Sequence, residues 1–261
     1  MYLVGIDDTI PSDIRDTFVR RLGDQGRLAV VRSDDQFHRD STAEVEASFA
    51  TDGNWQLTAS NGSLSELLDE LAPRADYAVF LDTTFEKFPR LEANDGDIVL
   101  NSRSKTATFD TDDIPSLLTS LEQTEPWKSL ESLIVEVKAS SEVEQSGAIA
   151  TFTGRVRTKD GPNDTATKHL EFEAYGDVAI ERIRRIEREI SSRPGVFEVA
   201  MHHRTGKITA GEDIVFVVVL AGHRDEAFTA VEDGINRLKA EVPIFKKEVT
   251  VDEEFWVHTR P

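Results

Sequence analysis

The sequence predicts two domains: an α/β domain on a parallel sheet, of P-loop-like but degenerate form, then an α+β domain of hammerhead type. Three observations carry this. Apolar strand-like runs alternate with helical periodicity in the first half, whereas strands come in runs with two helices interposed in the second. The segment TEPWKSLES, 124–132, separates the halves and reads as a linker. Charge is split unevenly: of the net −19, residues 1–133 carry −14, from 12 Lys and Arg against 26 Asp and Glu, and residues 134–261 carry −5. The expected boundaries are 1–123 for the first domain, 124–133 for the linker and 134–261 for the second domain.

The elements follow in order. YLVGI opens the chain as an apolar strand. In the next stretch Ile14, Phe18, Val19 and Leu22 share one helical face, and Gly23 and Gly26 punctuate its end. RLAVV reads as a strand, LSELLDELA as a helix ended by Pro73, DYAVFLD as a buried strand and DIVLNS as another. DIPSLLTSLEQ is a helix with Pro115 in its first turn, where the missing N–H costs nothing. In the second half LIVEVKA is expected to be a strand. GAIATFTGRVR alternates, with Ala148, Ala150, Phe152 and Val156 on one face and Arg155 and Arg157 on the other. KHLEFEAY, VFEVAMHHRTG, DIVFVVVLAG and IFKKEVTV are further strands. DVAIERIRRIEREI is an amphipathic helix with Ile180, Ile183, Ile186 and Ile190 along one stripe and Asp177 as N-cap. Residues 224–241 form the last helix, with Phe228, Val231, Ile235 and Leu238 facing inward and Pro243 ending it.

Composition narrows the function. At 39% apolar residues the chain affords a packed core. It has no cysteine, which excludes disulfides, thiolate metal sites and a cysteine nucleophile; no metal or cofactor is called for. The longest apolar run, IVFVVVLAG, is too short to cross a bilayer, and MYLVGIDDTI lacks the basic start and apolar stretch of a signal peptide, so a cytoplasmic protein is expected. A strongly negative surface repels nucleic acid and anionic lipid. The acids are scattered rather than blocked, which reads as adaptation to high salt. Salt screens exposed charge, so an anion site must be local and partly enclosed.

Cations nevertheless gather around one helix. Lys239 lies in its last turn, and His223-Arg224 stand where a buried strand leads into it. Lys246 and Lys247 follow in a strand and point to opposite faces; periodicity alone leaves open which one faces Lys239. Arg155 and Arg157 share a face of a different strand. Together they suggest an anion pocket.

The motifs GAIATFTGRVR, HLEFEAYGDVA, MHHRTGKITAGED, AGHRDEAFTAVEDGINRLK, VPIFKKE and FWVH occur in that order over residues 147–258. In this the chain resembles the catalytic subunit of molybdopterin synthase, the MoaE family. The resemblance implies a hammerhead fold and a homodimer within a heterotetramer. It implies a partner, a small ubiquitin-like sulfur carrier ending in a Gly-Gly thiocarboxylate, and a substrate, cyclic pyranopterin monophosphate, converted to molybdopterin. It makes Lys239 and Lys246 the catalytic pair, and Arg155, Val156, Arg157, His223, Arg224, Lys247 and Glu248 the substrate-binding set. It thereby selects Lys246 rather than Lys247 to face Lys239, and leaves His203 and Arg204 structural. Phe245 stands where the family usually has Trp, which keeps an aromatic wall. Two mutually repelling anions need fixed cations and exclusion of water. Lys239 could act through proton transfer, as a fixed charge, or by attack on the partner's terminal carbonyl. A competing reading is a non-catalytic module binding a ubiquitin-like tail.

In the first half GIDDTIPS, 5–12, has the spacing of a phosphate loop but Ile10 in place of the second glycine and Pro11 in place of the lysine. With GRLAVVRSD and DYAVFLDTTFEKFPRL it resembles, over residues 1–120, the GTP-binding accessory protein of molybdopterin guanine dinucleotide synthesis, MobB. That implies a degenerate P-loop fold without nucleotide hydrolysis, serving as a structural or docking element.

Overall fold

A computed structural model describes residues 1–32, 45–49, 55–59, 63–81, 88–102, 105–159, 161, 164–174 and 176–257, with the backbone alone at 45–49, 55–59, 174 and 176–177. Tyr175, His258 and the whole DTTFEK stretch (82–87) fall outside them. The chain forms two compact units, Met1–Ser129 and Leu130–Pro261.

The first unit runs β1 (Tyr2–Ile6), α1 (Ser12–Gln25), β2 (Leu28–Arg32), β3 (Val45–Phe49), β4 (Trp55–Ala59), α2 (Leu64–Leu71), β5 (Tyr77–Leu81), β6 (Arg90–Asn94), β7 (Asp97–Asn101), β8 (Thr106–Phe109) and α3 (Ile114–Leu121). β3 and β4 form a separate hairpin. The main sheet has the order β2-β5-β1-β6-β7-β8. β2, β5, β1 and β6 are parallel, but β6, β7 and β8 pair antiparallel, so the sheet is mixed rather than parallel. The cause is local. Asp95 and Gly96 both have positive φ, 52° and 94°, which makes a two-residue reversal between Asn94 and Asp97.

β5 is buried at all five residues because helices cover both faces of the sheet. Phe18 and Leu22 of α1 and Leu117 and Leu121 of α3 pack on Val4, Ile6 and Val79. Leu68 of α2 packs with Leu3, Ala78 and Phe80 on the other side. α2 starts with a capping box, in which Ser63 Oγ accepts from the Glu66 amide and Glu66 accepts from the Ser63 amide at 2.6 Å. Asp113 caps α3 by accepting from the Ser116 amide.

The second unit runs α4 (Leu130–Lys138), β9 (Ala148–Arg155), β10 (Thr167–Ala174), α5 (Gly176–Ser191), β11 (Val196–His203), β12 (Gly206–Thr209), β13 (Asp213–Ala221), α6 (Arg224–Glu241), β14 (Ile244–Thr250) and β15 (Glu254–Val257). LIVEVKA is therefore helical, not a strand, and its helix takes the last four residues of the expected linker, 130–133. The reason lies in spacing: Leu130, Leu133, Ile134 and Val137 fall on one helical face and pack on Ala200, Phe216, Val218 and Leu220. α5 starts at Gly176, which puts Asp177 inside the helix rather than at its cap.

Two antiparallel sheets result, β11-β13-β9 and β12-β10-β14-β15. β13 is buried from Val215 to Ala221 because α4 covers one face of its sheet and α5 and α6 the other. Ile186 and Ile190 of α5 are fully buried there, while Ile180 is exposed. α6 touches the sheet through small residues, Ala227, Ala230 and Gly234; a Cβ on Gly234 would lie 3.0 Å from Val217. Phe228, expected on this inner stripe, is instead 65% exposed. No helix among the described residues is long and apolar enough to cross a membrane.

Candidate functional site

β13 enters α6 through Gly222 and His223. Three chain segments meet at this turn: Gly147 N donates to Ala221 O, and Gly222 N donates to Gly195 O at 2.9 Å. Gly195 has φ 80°, and a Cβ on Gly147 would fall 2.5 Å from Gly222 O. Glycine is required at both positions, for the left-handed backbone at one and the close approach at the other. The packing holds His223 in an extended conformation as N-cap without a side-chain cap bond. His223 and Arg224 are exposed, and Arg224 lies 3.4 Å from the equally exposed Asp225.

α6 then runs back along the sheet. Gly195 approaches Glu226 near its start and Val217 approaches Gly234 in its middle. Its last turn therefore lies at the opposite end, where β13 begins and β9 ends, with Asp213 paired to Arg155. Lys239 is exposed in that turn. Fifteen residues separate Arg224 from Lys239, which at 1.5 Å per residue is about 22 Å along the axis. The sequence reading grouped His223-Arg224 with Lys239 in one pocket; within one chain the helix holds them at opposite ends.

The other candidates divide by strand face. In β14, Lys246 lies opposite Phe172 of β10 and Glu248 opposite Leu170. Phe172 and Leu170 belong to a small core with Val156, Ile208 and Ile244. Ile244 also packs on the larger core that contains Leu238 and Val242. Lys246 thus stands on the face that turns toward the end of α6. Lys247 stands on the reverse face, opposite Glu171 and Trp256. Its amine is 3.0 Å from Glu254 and 3.9 Å from Glu171, and the hydrogen bond to Glu254 raises its pKa. Strand alternation therefore puts Lys247 on the face opposite Lys246. Glu248 accepts from Thr167 Oγ1, a strand-to-strand tie.

Val156 has a buried side chain, and its amide donates to Glu212 O while its carbonyl accepts from Gly211 N. Arg155 is held by Asp213 at 2.7 Å and by Gly211 O. Arg157, past the end of β9, is exposed at the Lys239 end. His203 and Arg204 are structural here. His203 packs edge-on against Phe172 at 4.8 Å, its Nδ1 donates to Arg204 O, and burial pushes its imidazole down to about 4. Arg204 is buried over the Phe216 ring.

The sequence reading missed Phe228. The signal was present, since Phe228 is four residues after Arg224 and so shares its outward face.

The MoaE protein family model matches residues 124–241. A probable molybdopterin synthase of Haloferax volcanii is 44% identical over 264 residues, spanning 100% of both chains. The molybdopterin synthase catalytic subunit of Pyrococcus abyssi is 36% identical over 129 residues, 49% of this chain and 83% of that protein. The crystal structure of molybdopterin synthase from Staphylococcus aureus aligns at 32% identity and a TM-score of 0.45, covering 52% of this chain and 93% of that one. An end-to-end relative at this identity, with a family match over most of the second unit, places the chain in the MoaE family of molybdopterin synthase catalytic subunits.

Proposed function

We propose that the second unit, a hammerhead fold, transfers sulfur from the C-terminal thiocarboxylate of a small ubiquitin-like protein to cyclic pyranopterin monophosphate. The observation that carries this is the position of Lys246, on the Ile244 face of β14 that turns toward Leu238 and the Lys239 turn of α6. Lys239, Lys246 and Arg157 then supply positive charge where the two anions meet. Lys239 serves either as a proton carrier or as a fixed charge for the developing anion; Lys239→Arg separates the two, because arginine keeps the charge and cannot release a proton at working pH.

One chain does not enclose this site. Lys239 is exposed, and His223-Arg224 lie about 22 Å away along α6. We infer that two copies build each chamber, one contributing Lys239, Lys246 and Arg157 and the other His223-Arg224, which would grip the phosphate. Phe228 supports this, as a large exposed apolar group beside Arg224 fits a surface that another chain covers. The partner's tail and the second copy would exclude water together.

The first unit is read as a P-loop fold that has lost its phosphate cradle. Ile10 is buried in its core, Pro11 has no N–H, and the Thr9 and Ile10 amides donate to the side chain and carbonyl of Asp7. It would act as a structural or docking element.

Mixing tests the two-copy chamber. Lys239→Ala and Arg224→Ala chains are each assayed alone, then refolded together, with a thiocarboxylated partner and the cyclic pterin. Random pairing makes half the dimers mixed, each with one intact chamber, so about a quarter of wild-type dithiolene formation returns. No recovery would rule out a shared chamber, and no product from the wild-type protein with a verified partner would rule out the sulfur transfer itself.

A further inference from the structure

The Lys239 turn of α6 is held by charge as well as by packing. Arg237 and Glu241, on either side of Lys239, share the face that looks at α5. Arg237 Nε donates to Glu241 at 2.7 Å and its Nη2 donates to Glu189 at 2.5 Å. Arg185 donates to Glu241 and lies 3.6 Å from Glu189. The four groups close a ring of alternating sign, Arg185–Glu241–Arg237–Glu189. The hydrogen bond to Arg237 lowers the Glu241 pKa, and that to Glu241 raises the Arg237 pKa. One turn back, Arg193 meets Asp233 at 2.5 Å.

α5 is a fixed reference for this ring. Ile186 and Ile190 are fully buried, and Glu187 accepts from the Met201 amide of β11 at 2.7 Å. α6 meets the sheet through the small residues Ala227, Ala230 and Gly234 along its first turns and middle; near its end Ile235 and Leu238 are buried in the core and set the roll coarsely, and the ring fixes it from the α5 side. Lys239 lies two residues from both Arg237 and Glu241, about 200° around the helix from each. A roll that carries the ring residues away from α5 therefore swings the Lys239 amine by the same angle.

We propose that the Arg185–Glu241–Arg237–Glu189 ring is a positioning device that sets the roll of the last turn of α6 and thereby aims Lys239. This rests on the reading of Lys239 given above. No member of the ring touches substrate; each acts through the helix. A displacement near 1 Å at a reacting group can slow turnover by about 100-fold, so a partial roll is costly without unfolding.

The experiment uses Arg185→Gln, Glu241→Gln and the fourfold inversion Arg185→Glu, Glu189→Arg, Arg237→Glu, Glu241→Arg, with Lys239→Ala as control. Each single variant should lower kcat about 5- to 10-fold with KM for partner and pterin within about twofold, and the inversion, which restores alternating sign, should recover kcat. A second readout does not depend on turnover. Lysines are reductively methylated with carbon-13 and the Lys239 resonance is assigned by its loss in Lys239→Arg. In the single variants it should move from its wild-type position, and in the inversion it should return. An unmoved resonance overturns the proposal whatever the activity, as does an inverted ring that folds with the wild-type Tm yet leaves kcat low. Full turnover by Lys239→Ala would instead sink the catalytic role of Lys239, and the resonance alone would then decide the ring.

Discussion

Two strand-to-helix turns of this chain have the same outline and opposite chemistry. After β1, Asp7 folds the loop onto itself: its carboxylate accepts from the Thr9 amide, its carbonyl accepts from Ile10, and its side chain pairs with Arg90. Ile10 fills the space beneath and Pro11 leads into α1. After β13, His223 and Arg224 project outward at the head of α6, and no side chain caps the helix. A helix start with unused amides attracts anions, and one whose loop amides are consumed beside a carboxylate does not. The difference teaches that topology alone does not make a phosphate site; the loop residues decide whether donors face outward or are used up inside.

The largest test of this contrast is at the second turn. Arg224→Ala should raise KM for the phosphate-bearing substrate by roughly 10- to 100-fold, the equivalent of losing one or two charge-assisted hydrogen bonds, with a wild-type melting curve. Unchanged KM would mean that this turn grips nothing. At the first turn Asp7→Ala should leave turnover unchanged but cost about 1–3 kcal/mol of stability in urea unfolding, since it orphans the Arg90 charge and the Thr9 amide. Loss of turnover with stability intact would give the first turn a role it lacks here. Acid should separate the units. His203 has its folded pKa depressed from about 6.5 to about 4, so the unfolded chain takes up more protons between those values and stability falls as pH drops through that window. With partial solvent contact this is worth about 2 kcal/mol, and His203→Gln should flatten the slope of Tm against pH between 6.5 and 4. In the first unit Asp76 is held low by its hydrogen bond to Arg27, so its contribution is present above the ordinary carboxylate range and is lost only below it. The second unit should soften first. The smallest effect is expected from GTP with magnesium, which should give no binding heat with the wild-type chain; tight binding would break the contrast outright.

Much of this was legible in residue spacing. The buried run of β13, the isoleucine stripe of α5 and the capped starts of α2 and α3 follow from periodicity and short polar signals. LIVEVKA suits either period because five of its seven residues are apolar, and only the facing surface of β11 and β13 selects the helix. The parallel sheet was overextended because Asp95-Gly96, a two-residue reversal signal, was passed over. Around the site, alternation separates Lys246 from Lys247 but does not say which face meets α6; Ile244, shared by two cores, does. The grouping of Arg224 with Lys239 overlooked helix length, which was countable from the sequence. Phe228 was assigned inward by hydrophobicity when its phase with Arg224 pointed out.

The span of α6 has a consequence for how this protein can change. If its two ends furnish different chambers, the helix is a ruler shared by both copies of a pair. Side chains on its outer surface can be exchanged freely, but an inserted turn would shift one end by about 5.4 Å relative to the other. Both chambers would then be mismatched at once, so a single lengthening event would disable the whole assembly rather than half of it.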